Sequence, residues 1–222
     1  MSYSLWHRGV MKKAGIPSDR LLYTKTVIFS LLVFVTAYLY TVWLKIPNPL
    51  NKAVADTSIV LIGLSMLLTS LCYFWDFVDT KIIYRKYLGI VGFVYGVVHI
   101  VLSFSALERL FLSETWQKGT YWPALTGVVA LGIFSLMTLI SNKYAAQALG
   151  GTTWRKILRV GYVAVGLIWL HVFLLKSARI INWYKEGMVT PPSMSLLVLA
   201  FMLMVVLMRV LLWLSLRKEK VR

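Results

Sequence analysis

Two imidazoles stand inside apolar runs of this chain. His99 lies in YGVVHIVLSF (95–104) and His171 in LIWLHVFLL (167–175). The third of the three histidines, His7, sits in the polar start and reads as an exposed terminal side chain. A neutral imidazole nitrogen is a ligand for haem iron, and two imidazoles fill both axial positions. Iron held that way has no open position for O₂, so its chemistry is one-electron transfer. A membrane histidine can also bond a neighbouring helix and do nothing more.

Spacing bears on the choice. Gly89, Gly92, Gly96 and His99 are separated by three, four and three residues, which puts them on one stripe of a helix. Gly161, Ala164, Ile168 and His171 repeat the same interval. Each histidine therefore ends a stripe rich in small residues. A flat macrocycle between two helices needs that shape, with Gly92, Gly96 and Ala164 as its candidate contacts beside His99 and His171. Small-residue stripes also serve plain helix packing.

The elements that must position these residues follow from composition. Of 222 residues, 59% are hydrophobic and 14% charged, and the mean hydropathy is +0.74. This is the composition of a polytopic membrane protein, with no stretch left over for a folded soluble domain. A bilayer core takes about 20 apolar residues per helix. Six windows qualify: 24–44, 57–78, 87–107, 121–141, 157–177 and 193–216. The expected architecture is an all-α, six-transmembrane-helix bundle, one domain over 1–222, in the cell (inner) membrane. The start lacks a signal peptide's apolar core and cleavage site, so the first span is expected to stay as an anchor.

The net charge of +16 sits at span ends. Lipid head groups explain it, and nucleic acid is not expected as a partner. With the N-terminus inside, sixteen Lys and Arg fall on the cytoplasmic side and seven opposite. That bias predicts both termini in the cytoplasm. Trp43, Trp116, Trp122, Trp154, Trp183 and Trp213 fall near span ends, as an aromatic belt would. Spans three and five then run the same way. His99 follows Lys86 by thirteen residues and His171 follows Arg159 by twelve. Both imidazoles are expected roughly 18–20 Å from the cytoplasmic edge, past the midplane.

YRKYLGIVGFVYGVVH (84–99) and LGGTTWRKILRVGYVAVGLIWLHVF (149–173) resemble the third- and fifth-helix signatures of the ferric-reductase-like transmembrane family. Within it, the haem-binding membrane subunit of the bacterial periplasmic methionine sulfoxide reductase system is similar in length and in its six spans. The resemblance implies a noncovalent b-type haem between helices three and five, with His99 and His171 as its ligands. One departure stands out. Where the family often has a Trp-x-x-x-His pattern for an inner haem, Trp154 here leads to Leu158. One outer haem, rather than a two-haem wire, is the expectation.

A single outer haem leaves roughly 20 Å to the cytoplasmic edge. The electron donor must approach within the membrane, as a quinol could, or occupy the missing haem's place. No GxGxxG follows a strand, so a flavin or nicotinamide donor, such as a cytosolic flavin reductase, is expected to be external. The acceptor is expected to be an outer-face reductase subunit or ferric iron.

Other residues read more plainly. Asp19, Asp56, Asp76, Asp79, Glu108, Glu114, Glu186 and Glu219 are expected near span ends or in loops, which weakens a transporter reading. Arg209 is expected to snorkel to the surface, or to partner an anionic ligand. Arg85, Lys86, Arg155 and Arg159 read as positive-inside anchors, or as contacts for a phosphate-bearing donor. Tyr95 and Trp169 could flank a macrocycle or simply pack. Cys72, the one cysteine, reads as an apolar packer. No hydrolase triad, phosphate loop or zinc spacing occurs. The reading from another class is a haem-free helical scaffold or small transporter whose histidines only pack.

Overall fold

A computed structural model describes residues 17–107 and 121–221. His7, Glu108, Glu114 and Trp116 lie outside the described residues. The described chain is helical throughout and contains no strand. Its helices are α1 (Asp19–Trp43), α2 (Pro49–Phe74), a 3-10 segment (Asp76–Tyr84), α3 (Arg85–Leu107), α4 (Tyr121–Ile140), α5 (Lys143–Leu149), α6 (Gly151–Leu158), α7 (Gly161–Lys185) and α8 (Met194–Val221). Six of these stretches are long and apolar enough to cross a membrane. Leu32, Leu39, Leu136 and Leu139 point outward from the bundle, as lipid-facing side chains must when backbone polarity is satisfied within helices.

Local chemistry sets the ends. Ser18 caps α1, its hydroxyl accepting from the Leu21 N–H, with Asp19 in the first turn. The chain reverses through Lys45 and Asn48, both left-handed, and Pro49 opens α2. Proline is suited to a first helical position, because its missing N–H would have no partner there. The second span therefore begins eight residues before the expected 57. This corrects the placement of Asp56, which is not at a span end. It is buried one turn and more inside α2.

The connection between spans four and five also differs from expectation. Residues 142–156 lie between the expected fourth and fifth spans, yet most of them are helical, as α5 and α6. Asn142 caps α5 by accepting from the Ala145 N–H at 2.8 Å. Trp154 on α6 donates its indole N–H to the Ile140 carbonyl at 2.9 Å, which ties α6 to the end of α4. Leu158 ends α6 within the long apolar stretch Gly151–Lys185, and α7 runs on to Lys185, eight residues past the expected end of the fifth span.

Helix α2 is the centre of the bundle, packed against α1, α3, the 3-10 segment and α8. Its small and hydroxyl-bearing residues allow this, since they let backbones approach. Ser58 donates to the Gly92 carbonyl and Ser65 to the Arg85 carbonyl, both at 2.7 Å, stitching α2 to α3. At Gly92 the two helices approach closely. A Cβ there would meet the Ile62 backbone nitrogen and Leu61 Cβ at 3.0 Å. Backbone cannot yield as a side-chain tip can. Gly92→Val is expected to lower stability by about 1–3 kcal/mol, seen as a lower melting temperature in detergent.

Candidate functional site

Four helices enclose a cavity of about 650 Å³ at the end of the bundle that carries the Lys45–Pro49 turn. Each contributes one face at helical spacing. From α2 come Asn51, Lys52, Ala55, Asp56 and Ile59; from α3, Gly96, His99 and Ser103. From α4 come Ala124, Gly127 and Leu131; from α7, Ile168, His171, Leu175, Lys176 and Arg179. The wall is mainly apolar, with a few polar groups gathered toward the turn end. That is the usual form of a cofactor site, and the volume lies within the usual range of about 300–1,000 Å³.

The structure brings His99 and His171 to this one cavity. His171 Nδ1 lies 2.6 Å from the Pro123 carbonyl oxygen. A carbonyl only accepts, so Nδ1 carries the proton and donates it. His99 Nδ1 lies 2.7 Å from Asn51 Oδ1, and the Asn51 amide nitrogen donates to Ser103 Oγ at 3.1 Å. Here too Nδ1–H is the donor. Each Nε2 is then left with its lone pair, the form that binds a metal. This donor set fits an iron macrocycle with two axial imidazoles. Asn51→Ala removes one of the two orienting acceptors. For a haem held by both imidazoles, the change is expected to weaken retention about 10–100-fold, measured by haem content after dilution into detergent.

The small residues divide. Gly96 lines the cavity, and a Cβ on it would meet Leu131 Cδ1 at 3.0 Å and Ser58 Oγ at 3.1 Å. Gly92 and Ala164 are not on the wall. Gly92 is spent on the α2–α3 contact, and Ala164 is fully buried in the core formed by α2, α4, α7 and α8. Tyr95 faces α1, near Ser30 and Phe34. Trp169 stacks on Phe173 at 5.1 Å between ring centroids. Neither lines the cavity. Gly127 does: a Cβ on it would meet His171 Nδ1 at 2.9 Å. The sequence reading passed over Gly127 and Asn51: Gly127 stands as a small residue in an apolar run, whereas Asn51 lies beside Lys52 in a polar turn that carries no such signal.

A second cavity, about 260 Å³, opens at the other end of the bundle. Arg85, Lys86, Gly89, Trp154 and Leu158 line it. Leu158, which stands where the resemblance would place another haem ligand, is on its wall. No histidine is. Ile62 and Phe134 line both cavities and form the partition between them. Nearby, the Arg209 guanidinium lies over the Tyr162 ring at 5.0 Å. A cation–π contact to α7 holds it, so free snorkelling does not describe this residue.

No family model matches the chain. The chain is similar to "Metalloreductase STEAP2" of Mus musculus, 27% identical over 187 aligned residues that cover 69% of this chain and 38% of the mouse protein. It therefore spans well under half of that relative's length. The match agrees with a ferric-reductase-like resemblance at the coarse level of a membrane metalloreductase and says nothing of the methionine sulfoxide branch. Together with the six apolar helices, it makes this chain a multi-pass membrane protein with an oxidoreductase-like relative, similar to a metalloreductase.

Proposed function

We propose that the chain is the transmembrane electron-transfer domain of a metalloreductase, holding one b-type haem between His99 and His171. The observation that carries this is the pair of imidazoles on one cavity, each with Nδ1–H committed to an acceptor and Nε2 left free. A histidine that only packs gains nothing from an unused Nε2 facing a cavity, which disfavours the scaffold reading. A haem so bound supplies a one-electron carrier.

The protein's own residues do the rest. Asn51 and Pro123 fix the two ring orientations. Gly96 and Gly127 keep the wall flat. Phe134 and Ile62 close the cavity against the smaller one. The smaller cavity, below the usual range for a cofactor of haem size and without a histidine, takes the ring of a reduced flavin or a quinol as donor. Arg85 and Lys86 supply its positive charge. Sixteen Lys and Arg against seven support both termini, and this donor cavity, on the cytoplasmic side. The histidine cavity then opens to the outer face, where the acceptor arrives.

The relative's name favours a metal ion as acceptor over an outer-face methionine sulfoxide reductase subunit, and a chelated ferric ion is the one we propose. The test is anaerobic mixing of the dithionite-reduced, desalted protein with ferric citrate. Re-oxidation of the haem bands with one ferrous ion formed per haem is the expected result. Bands that stay reduced in ferric citrate would overturn the choice of acceptor.

A further inference from the structure

The turn end of the histidine cavity carries more positive charge than the fold answers. Lys52 and Asp56, one turn apart on α2, both line it, and so do Lys176 and Arg179 on α7. The Lys52 ammonium nitrogen and one Asp56 carboxylate oxygen are buried and have no hydrogen-bond partner. Asp56 is only 5% exposed. Buried polar atoms of native proteins find partners, and charged ones most of all. Orphans of both signs on one cavity wall point to a ligand that completes them.

The charges indicate its chemistry. Three cations against one carboxylate leave two positive charges in excess. Lys176 and Arg179 follow His171 by five and eight residues, so they stand about 7.5 and 12 Å further along the helix axis. They lie at the edge of a macrocycle centred on the imidazoles, not over its face. Resting on the haem reading above, we propose that Lys52, Lys176 and Arg179 form a dicarboxylate site. It binds the two propionates of the haem, and Asp56 offsets the third cation.

This arrangement fixes the orientation of the macrocycle, carboxylates toward the turn end. It also makes the cluster a control on the iron's affinity for an electron. A cation nearby favours the reduced form and an anion the oxidised form. Removing Lys52 or Lys176 should lower the midpoint potential, and removing Asp56 should raise it. A purely structural role would not produce opposite signs.

The experiment is reconstitution of haem-depleted protein with haem and, separately, with haem dimethyl ester. Affinity is read from the Soret band and the midpoint from a redox titration. The wild type should prefer haem about tenfold or more, and Lys52→Met should shrink that preference to about threefold or less. Lys176→Met should lower the midpoint and Asp56→Asn should raise it. Equal binding of haem and ester by the wild type would overturn this proposal alone, and needs no variant to fold. Binding of neither would overturn the haem reading with it. Variants that change ferric citrate reduction, with haem affinity and midpoint unmoved, would also overturn it, because the cluster would then serve the incoming chelate.

Discussion

His99→Ala and His171→Ala are each expected to lose the b-type absorption bands of the proposed haem. Either change would remove one of its two axial nitrogens and leave a hole on one side of the iron. Losing an orienting partner alone costs about 10–100-fold in metal affinity, and losing the ligand costs more, so haem content should fall below about a tenth of wild type. The two variants should behave alike, because the rings are held in the same way, Nδ1–H to an oxygen acceptor, on facing helices. Folding should survive, since both rings line a cavity rather than fill the core around Val165, Val198 and Met202. Haem content by difference spectrum, beside elution volume in detergent, checks both halves of this expectation. A variant that keeps full bands would remove its histidine from the ligand set.

Gly127→Val is expected to lose the proposed haem although it replaces no ligand. A Cβ at position 127 meets His171 Nδ1 at 2.9 Å and Cε1 at 3.1 Å. The ring must move, and moving it breaks the 2.6 Å bond to the Pro123 carbonyl that fixes its orientation. Valine adds two methyls beyond that Cβ, so the displacement is larger than for alanine. The expected graded series is partial haem loss in Gly127→Ala and at least about a tenfold loss in Gly127→Val. Gly132, five residues along the same helix, provides the control. Nothing lies within 4 Å of a Cβ there, so Gly132→Ala should keep its haem. Haem content across the three variants separates ring displacement from a general effect on α4.

The contrast between these glycines shows what a sequence can and cannot reveal. Hydropathy located six long apolar helices, because a bilayer-spanning helix is defined by length and composition. The two histidines were visible for the same reason, as polar side chains in apolar runs. Their meeting in one cavity followed from depth counted along two parallel spans. The acceptors were hidden. Asn51 and the Pro123 carbonyl each stand 48 residues from their histidine, and no local pattern pairs positions so far apart. The apolar window begins only at 57, whereas Pro49 already opens α2, so Lys52 and Asp56 fall inside the helix and on the site. Gly92, Gly96 and Ala164 share a spacing but not a role, since periodicity gives a face and not the neighbour that face meets. Residues 142–156 fall between the apolar windows because their sequence is basic and glycine-containing, whereas α6 is tied to the end of α4 through Trp154.

The central claim is one haem on two imidazoles in each chain. The most direct measurement is the haem-to-protein ratio of the purified wild type, taken with its reduced-minus-oxidised spectrum after haem-replete expression. The account predicts sharp b-type bands of a six-coordinate, low-spin iron at about one haem per chain. No bands would contradict it, as would two haems per chain, because the smaller cavity offers Leu158 and no histidine for a second.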